Sequence, residues 1–277
     1  MPDEATAFVP GHITGFFSAH PDEDPTKAGS RGAGLTLTRG VEVTVTAADD
    51  DQSAVVLDGE TVDIDPVQTV LATLDASARV EVDSDLPLGA GFGVSGAIAL
   101  GTALATNRVF GRALSVNELV TIAHGAEVEA GTGLGDVVAQ AHGGIPIRLE
   151  PGSPQVNKLD AIPARARVEY VTFGELSTSD VLSGDTEQLT EAGKQALSRV
   201  VEEPTLLSFI YASRMFTREA GLLTEQVATA INDVADADGQ ASMAMLGNTV
   251  FALGTGLTDA GYDPDVCGVH PAGAMLR

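Results

Sequence analysis

Two glycine-rich stretches hold the residue types best suited to chemistry. The first, Gly91-Phe92-Gly93-Val94-Ser95-Gly96, has the spacing G-x-G-x-x-G and opens an apolar run expected to be helical from 94 to about 109. Glycines let the backbone approach an anion closely, and free N–H groups at a helix start point at it. Ser95 adds a hydroxyl for a phosphate or Mg2+. The second stretch, Gly131-Thr132-Gly133-Leu134-Gly135-Asp136, ends on a carboxylate. The first spacing also marks dinucleotide-binding units, which need a second strand carrying an acidic residue about 20 positions on. Here a second helix, opening at Ser115, follows instead. No Gly-Lys-Ser/Thr occurs, so a P-loop is excluded. Two readings stand: an anion cradle suited to ATP, or a loop whose glycines merely let helices pack.

Periodicity outlines the elements that must position these stretches. Residues 8–17 read as a strand and turn, 34–46 as a half-buried strand with Val41, Val43 and Val45 on one face, and 55–60 as a strand entering a hairpin. A short helix at 67–76 and a strand at 79–82 precede the first glycine loop. Ser115 and Glu118 have capping-box spacing for a helix ending near 129. A short helix at 137–142 and a strand at 145–149 follow the second. Glu150-Pro151-Gly152-Ser153-Pro154 is the expected domain boundary. Beyond it come a strand (167–172), helices near 187–201, 204–220 and 222–235, and strands 241–246 and 249–253. Helices and strands in runs argue an α+β protein of two domains, 1–152 and 153–277.

Composition sets the conditions. Fifteen Lys and Arg against 39 Asp and Glu give a formal charge of −24 over 277 residues. Such a surface repels phosphate backbones and anionic lipid, which disfavours nucleic-acid and membrane partners. Hydrophobic residues at 44 % supply a core and exclude disorder. Lysines number only three, there is no Trp, and carboxylates cluster at Asp22 to Asp24, at 49–51 and at Asp233, Asp236 and Asp238. This pattern fits a halophilic protein, whose self-repulsion molar salt would screen, or else an ordinary acidic cytosolic one. Cys267 is the only cysteine, which excludes an internal disulfide and a cysteine metal site. The start, Met-Pro-Asp-Glu, lacks a secretory pattern, so a cytoplasmic location is expected. Residues 86–107 carry no charge, yet Pro87 and four glycines between 89 and 96 break them up, so the helix is too short to span a bilayer.

The string Pro87-Leu88-Gly89-Ala90-Gly91-Phe92-Gly93-Val94-Ser95-Gly96-Ala97 resembles the phosphate-binding motif of the GHMP kinases, P-x3-G-L-G-S-S-A. Phe92 replaces its Leu, Val94 its first Ser and Gly96 its Ala. Ser95 keeps the second Ser, the one associated with Mg2+. Phe8-Val9-Pro10-Gly11-His12-Ile13 resembles the family's N-terminal motif, Gly133 to Asp136 with Gly143-Gly144 the segment of its catalytic Asp, and 241–253 stands where its third motif belongs. Within the family, Pro10 to Phe17, Gly29-Ser30-Arg31-Gly32-Ala33-Gly34 and Ala126-Glu127-Val128-Glu129 look most like archaeal pantoate kinases.

The resemblance implies a two-domain GHMP fold, with a ribosomal protein S5 domain 2-like N-terminal domain and a ferredoxin-like α/β C-terminal domain. It implies ATP-dependent phosphorylation of (R)-pantoate to 4-phosphopantoate in coenzyme A biosynthesis, with Mg2+ as cofactor. Homoserine, shikimate or mevalonate as acceptor, or a nucleotide-binding regulator without turnover, are the alternatives; a homodimer is common in related kinases. Phosphate binding is expected from 87 and 89–97. Asp136 is the expected base, against a role as helix cap, and Ser95 with Glu127 or Glu129 the expected metal ligands. His12 stands where most of the family has Lys; it would bond substrate, hold Asp136 or be structural. Ser30 and Arg31 are expected at the substrate, with Arg31 left accessible by its small neighbours to grip a carboxylate. Arg148 is a second candidate of that kind. His20, His124, His142 and His270 read as structural.

Overall fold

The computed structural model describes residues 2–48, 52–174 and 187–277, so the acidic run at 49–51 lies outside the described residues. In chain order the first part comprises β1 (Glu4–His20), β2 (Gly29–Ala47), β3 (Ala54–Leu57), β4 (Glu60–Val62), α1 (Asp65–Thr73), β5 (Ala78–Ser84), α2 (Val94–Phe110), α3 (Val116–Ala130), α4 (Asp136–His142), β6 (Pro146–Glu150) and β7 (Lys158–Ala161). The second comprises β8 (Arg167–Thr172), α5 (Glu187–Glu202), α6 (Leu206–Glu219), α7 (Glu225–Asp236), β9 (Gln240–Ala244), β10 (Thr249–Leu253), α8 (Gly256–Asp259), β11 (Asp265–Gly268) and β12 (Met275–Leu276). This is the expected α+β class.

The long antiparallel pair β1–β2 organises the first sheet. Val41, Val43 and Val45 all bury on one face, as their alternation requires. The turn expected by residue 17 is absent, because β1 runs on to His20. The pairing slips instead between Pro10 and His12 and between Thr14 and Phe16, at Gly11 and Gly15, so these glycines serve as bulges. The small-residue run 29–34 begins β2, ahead of the strand expected from 34. α2 is buried along its length, which explains why its sequence lacks a polar face. The capping box at Ser115 and Glu118 forms as expected and starts α3. Among the described residues no helix is long and apolar enough to cross a membrane.

One boundary needs correction. β6 and β7 pair antiparallel on either side of the Glu150 to Pro154 turn, and both belong to the first sheet. The passage to the second sheet therefore falls between Ala161 and Arg167. A Pro/Gly-rich segment marks a turn equally well whether it ends a domain or closes a hairpin. The second sheet has the order β11-β8-β10-β9, which is fourth, first, third, second in chain order, the arrangement of a ferredoxin-like sheet. The chain then returns, and β12 pairs with β1 at Ala7 and Phe8.

The halves meet along β1. α5 and α6 pack against it, and Thr14 bridges Met245 beyond β9. Gly193 of α5 lies so close that an added Cβ would stand 1.9 Å from the carbonyl oxygen of Phe17, which Gly193 alone permits. The strand carrying His12 and Thr14 is thus clamped from both layers.

Candidate active site

Where β1 and the loops preceding α2 and α4 converge, they line a cavity of about 740 Å3, a size suited to a small-molecule site. One wall is mostly backbone, from Gly89 and Gly91 through Gly96. Gly93 is the N-cap of α2 in a left-handed conformation, φ 62°, which a side chain would strain. The first helical bond runs from Ala97 N to Gly93 O at 3.0 Å. The N–H groups of Val94, Ser95 and Gly96 therefore precede the helical ladder, and no side chain caps them. Val94, Ser95 and Gly96 line the cavity, an arrangement that could hold an anion.

The loop is held from behind. Phe92 is buried edge-on against Tyr170 at 4.8 Å, and its carbonyl accepts from His12 N at 2.9 Å. Ala90 does not line the cavity; its carbonyl accepts from Thr249 Oγ1 at 2.8 Å. An added Cβ on Gly247 would come within 2.0 Å of that carbonyl, so the single glycine of the third motif is required by contact with the loop. Met245 and Leu246 line the cavity next to it. Pro87 is exposed at the loop's start and Ala97 is buried in the core, both outside the lining.

Asp136 is the first residue of α4, directly after the N-cap Gly135. It accepts from His12 Nδ1 at 2.7 Å and stays 24 % exposed toward the cavity. His12 lies fully buried behind it, and Gly34 makes the room: a Cβ there would stand 2.2 Å from His12 Nε2. Burial pushes the imidazole pKa down, the Asp136 hydrogen bond and charge oppose this, and Arg148 adds to the lowering. Burial works against the charge of Asp136. The His12 hydrogen bond and the positive field including Arg148 outweigh it and hold the carboxyl below its ordinary value. A neutral imidazole donating to an ionised carboxylate results. His12 Nε2 has no partner, which also argues neutrality, since a cation would leave a buried N–H unbonded there.

Glu127 of α3 is buried and accepts from Ser95 Oγ at 2.6 Å. Desolvation pushes its pKa up to about 7; the Ser95 bond opposes the rise and the Asp136 charge adds to it. Glu129 is exposed and outside the cavity, so the acid beside Ser95 is Glu127. Among the described residues no cluster of three or more His, Cys, Asp or Glu side chains forms a metal cage.

Ser30 and Arg148 line the far side of Asp136. Gly135 clears the space, for a Cβ there would lie 2.5 Å from Ser30 Oγ and 2.7 Å from Arg148 Nε. Arg148 is 1 % exposed, and its Nε and Nη1 have no hydrogen-bond partner. Arg31 departs from expectation. On β2 it pairs with Glu150 of the neighbouring β6 and does not reach the cavity, because in a strand the small residues around it set no direction for its side chain. The remaining histidines bond local oxygens: His20 to Ser18, His124 to Ala28, His142 to Gly143 and His270 to Ala272. Sequence reasoning missed Thr14, Asp63, Asp65 and Leu134 in the lining. It also missed Gln140, although a polar residue inside Val137-Val138-Ala139-Gln140-Ala141, one turn after Asp136, was a readable signal.

The chain resembles known proteins over most of its length. The family model for the GHMP kinases N terminal domain matches residues 66–144. A pantoate kinase of Methanocaldococcus jannaschii is 35 % identical over 255 residues, covering 89 % of this chain and 91 % of that one. One from Thermococcus kodakarensis is 36 % identical over 261 residues, covering 89 % and 86 %. A solved structure described as a phosphotransferase related to the CoA biosynthesis pathway superposes with a TM-score of 0.87 at 31 % identity, covering 99 % of this chain and 98 % of that one. The glycine cradle at the start of α2, the carboxylate opening α4 and these full-length likenesses agree: the chain belongs to the GHMP kinase family.

Proposed function

We propose that this kinase transfers the γ-phosphoryl group of ATP to the primary hydroxyl of (R)-pantoate, giving 4-phosphopantoate for coenzyme A synthesis. The relatives named for pantoate support the acceptor, and one observation in the cavity carries the place of its carboxylate. Arg148 is a buried guanidinium with two orphaned nitrogens and, among the described residues, no carboxylate within ion-pair distance. The Asp136 charge offsets it only from farther off, so the free nitrogens suit an anion from outside. The pantoate carboxylate, with Ser30 Oγ beside it, fills that need. Homoserine, shikimate and mevalonate carry a carboxylate too, so the guanidinium calls for an acidic acceptor and the relatives single out pantoate. Arg31, held by Glu150, plays no part in this reading.

In the same proposal the exposed N–H groups of Val94, Ser95 and Gly96 receive the ATP phosphates. The acceptor hydroxyl oxygen attacks the γ-phosphorus, its proton passes to the Asp136 carboxylate, and ADP departs. His12 fixes the carboxylate's orientation without adding a charge. The hard oxygens of Ser95 and Glu127, bonded to each other beside the phosphate loop, suit Mg2+. That ion would neutralise charge on the phosphates. The charge of −24 and the scarcity of Lys support a salt-rich cytoplasm as its setting.

Incubation with ATP and Mg2+ in molar KCl is expected to release ADP when (R)-pantoate is added, and not with homoserine, shikimate or mevalonate. Turnover of another acceptor with none on pantoate overturns the assignment, and Asp136→Asn is expected to abolish release. Arg148→Lys is expected to raise the KM for pantoate about ten- to a hundredfold and that for ATP less than about twofold. Equal changes in both would place the guanidinium elsewhere in the reaction. Because Glu127 holds its proton up to about pH 7, it must release it to bind a metal. Affinity for Mg·ATP should therefore rise as pH increases from about 6 to 7 and level above that, whereas Glu127→Gln should bind weakly without this slope. A wild-type affinity constant across that range contradicts the ligand role.

A further inference from the structure

Gln140 belongs to neither motif and does not line the cavity, yet it touches both sides of the chemistry. It lies four residues after Asp136 in α4, so both side chains leave the same face. The Gln140 side chain is fully buried. Its Nε2 donates to the carbonyl of Gly93 at 2.8 Å, while Oε1 has no partner. That carbonyl already accepts from Ala97 N, the first helical bond of α2. The close approach of the two helices depends on missing side chains. A Cβ on Gly96 would lie 3.1 Å from Val137 Cγ2 and 3.3 Å from Gln140 Oε1, and one on Gly93 3.1 Å from Asp136 Oδ1.

Glycine's freedom makes this contact consequential. Gly93 adopts its left-handed conformation without strain, but it adopts others as readily, so the loop cannot fix its own N–H groups. We propose that Gln140 is a positioning residue: its amide clamps the Gly93 carbonyl, holds the phosphate-loop N–H groups in their cavity-facing arrangement, and sets their separation from Asp136. This inference rests on the kinase reading above. The far end of α4 is tied as well, since Gln140 O accepts from Ala274 N at 2.9 Å. That bond uses the backbone and survives substitution of the side chain.

Gln140→Met removes the donor, and Gln140→Glu replaces the amide with a group of the same size. Both are expected to weaken calorimetrically measured binding of ADP with Mg2+ about five- to tenfold and to raise the KM for ATP to match. The KM for pantoate should stay within about twofold. If one variant does not fold, the other carries the same comparison. Unchanged ADP affinity overturns the proposal, and so does an equal rise in both KM values alongside a lower melting temperature, which marks loss of packing alone. Absence of pantoate turnover by the unaltered protein would refute the acceptor assignment instead, while the ADP titration would still decide the role of Gln140.

Discussion

A carboxylate beside an apolar core stays ionised only if something offsets its lost hydration. At this site the offset is the hydrogen bond from His12 to Asp136, made across 124 residues of sequence. Much of the surrounding architecture serves that contact. The bulge at Gly11 lies just before His12, Gly34 vacates the volume of its ring, and α4 begins at the carboxylate. The clamp of β1 between α2 on one side and α5 and α6 on the other keeps the imidazole from moving away. In the proposed mechanism a neutral histidine would do, by orientation, what a lysine would do with charge.

The same economy of charge marks the phosphate side. A chain with 15 cations among 277 residues places one guanidinium, Arg148, in the cavity lining. In the proposed mechanism the rest of the anion binding would come from amide N–H groups at the start of α2, which carry no net charge and need no counterion. Such binding depends on geometry more than on residue type, and contacts from Thr249, Gly247, Phe92 and Gln140 hold that loop.

Local signals in the sequence were read well wherever the physics was local. The α2 and α3 boundaries follow from glycine and a capping box, and the two glycine loops follow from backbone freedom. Expectations failed where tertiary contacts decide. The strand-and-turn reading of 8–17 could not show that Gly11 and Gly15 sit at bulges in a strand that runs on to His20 beside a long partner. The Pro/Gly segment after Glu150 could not reveal that β7 continues the first sheet. Arg31 and Arg148 are alike in one dimension; Glu150, on the neighbouring strand, takes the first, and burial without a partner distinguishes the second.

The claim most open to direct measurement is the state of His12. Nitrogen-15 NMR of histidine-labelled protein in molar KCl reads protonation and tautomer together. At about pH 7 to 8 the account predicts a neutral ring with its proton on Nδ1, hydrogen-bonded to Asp136. A His12 signal that titrates in this range as a cation, or a neutral ring protonated on Nε2, would contradict it.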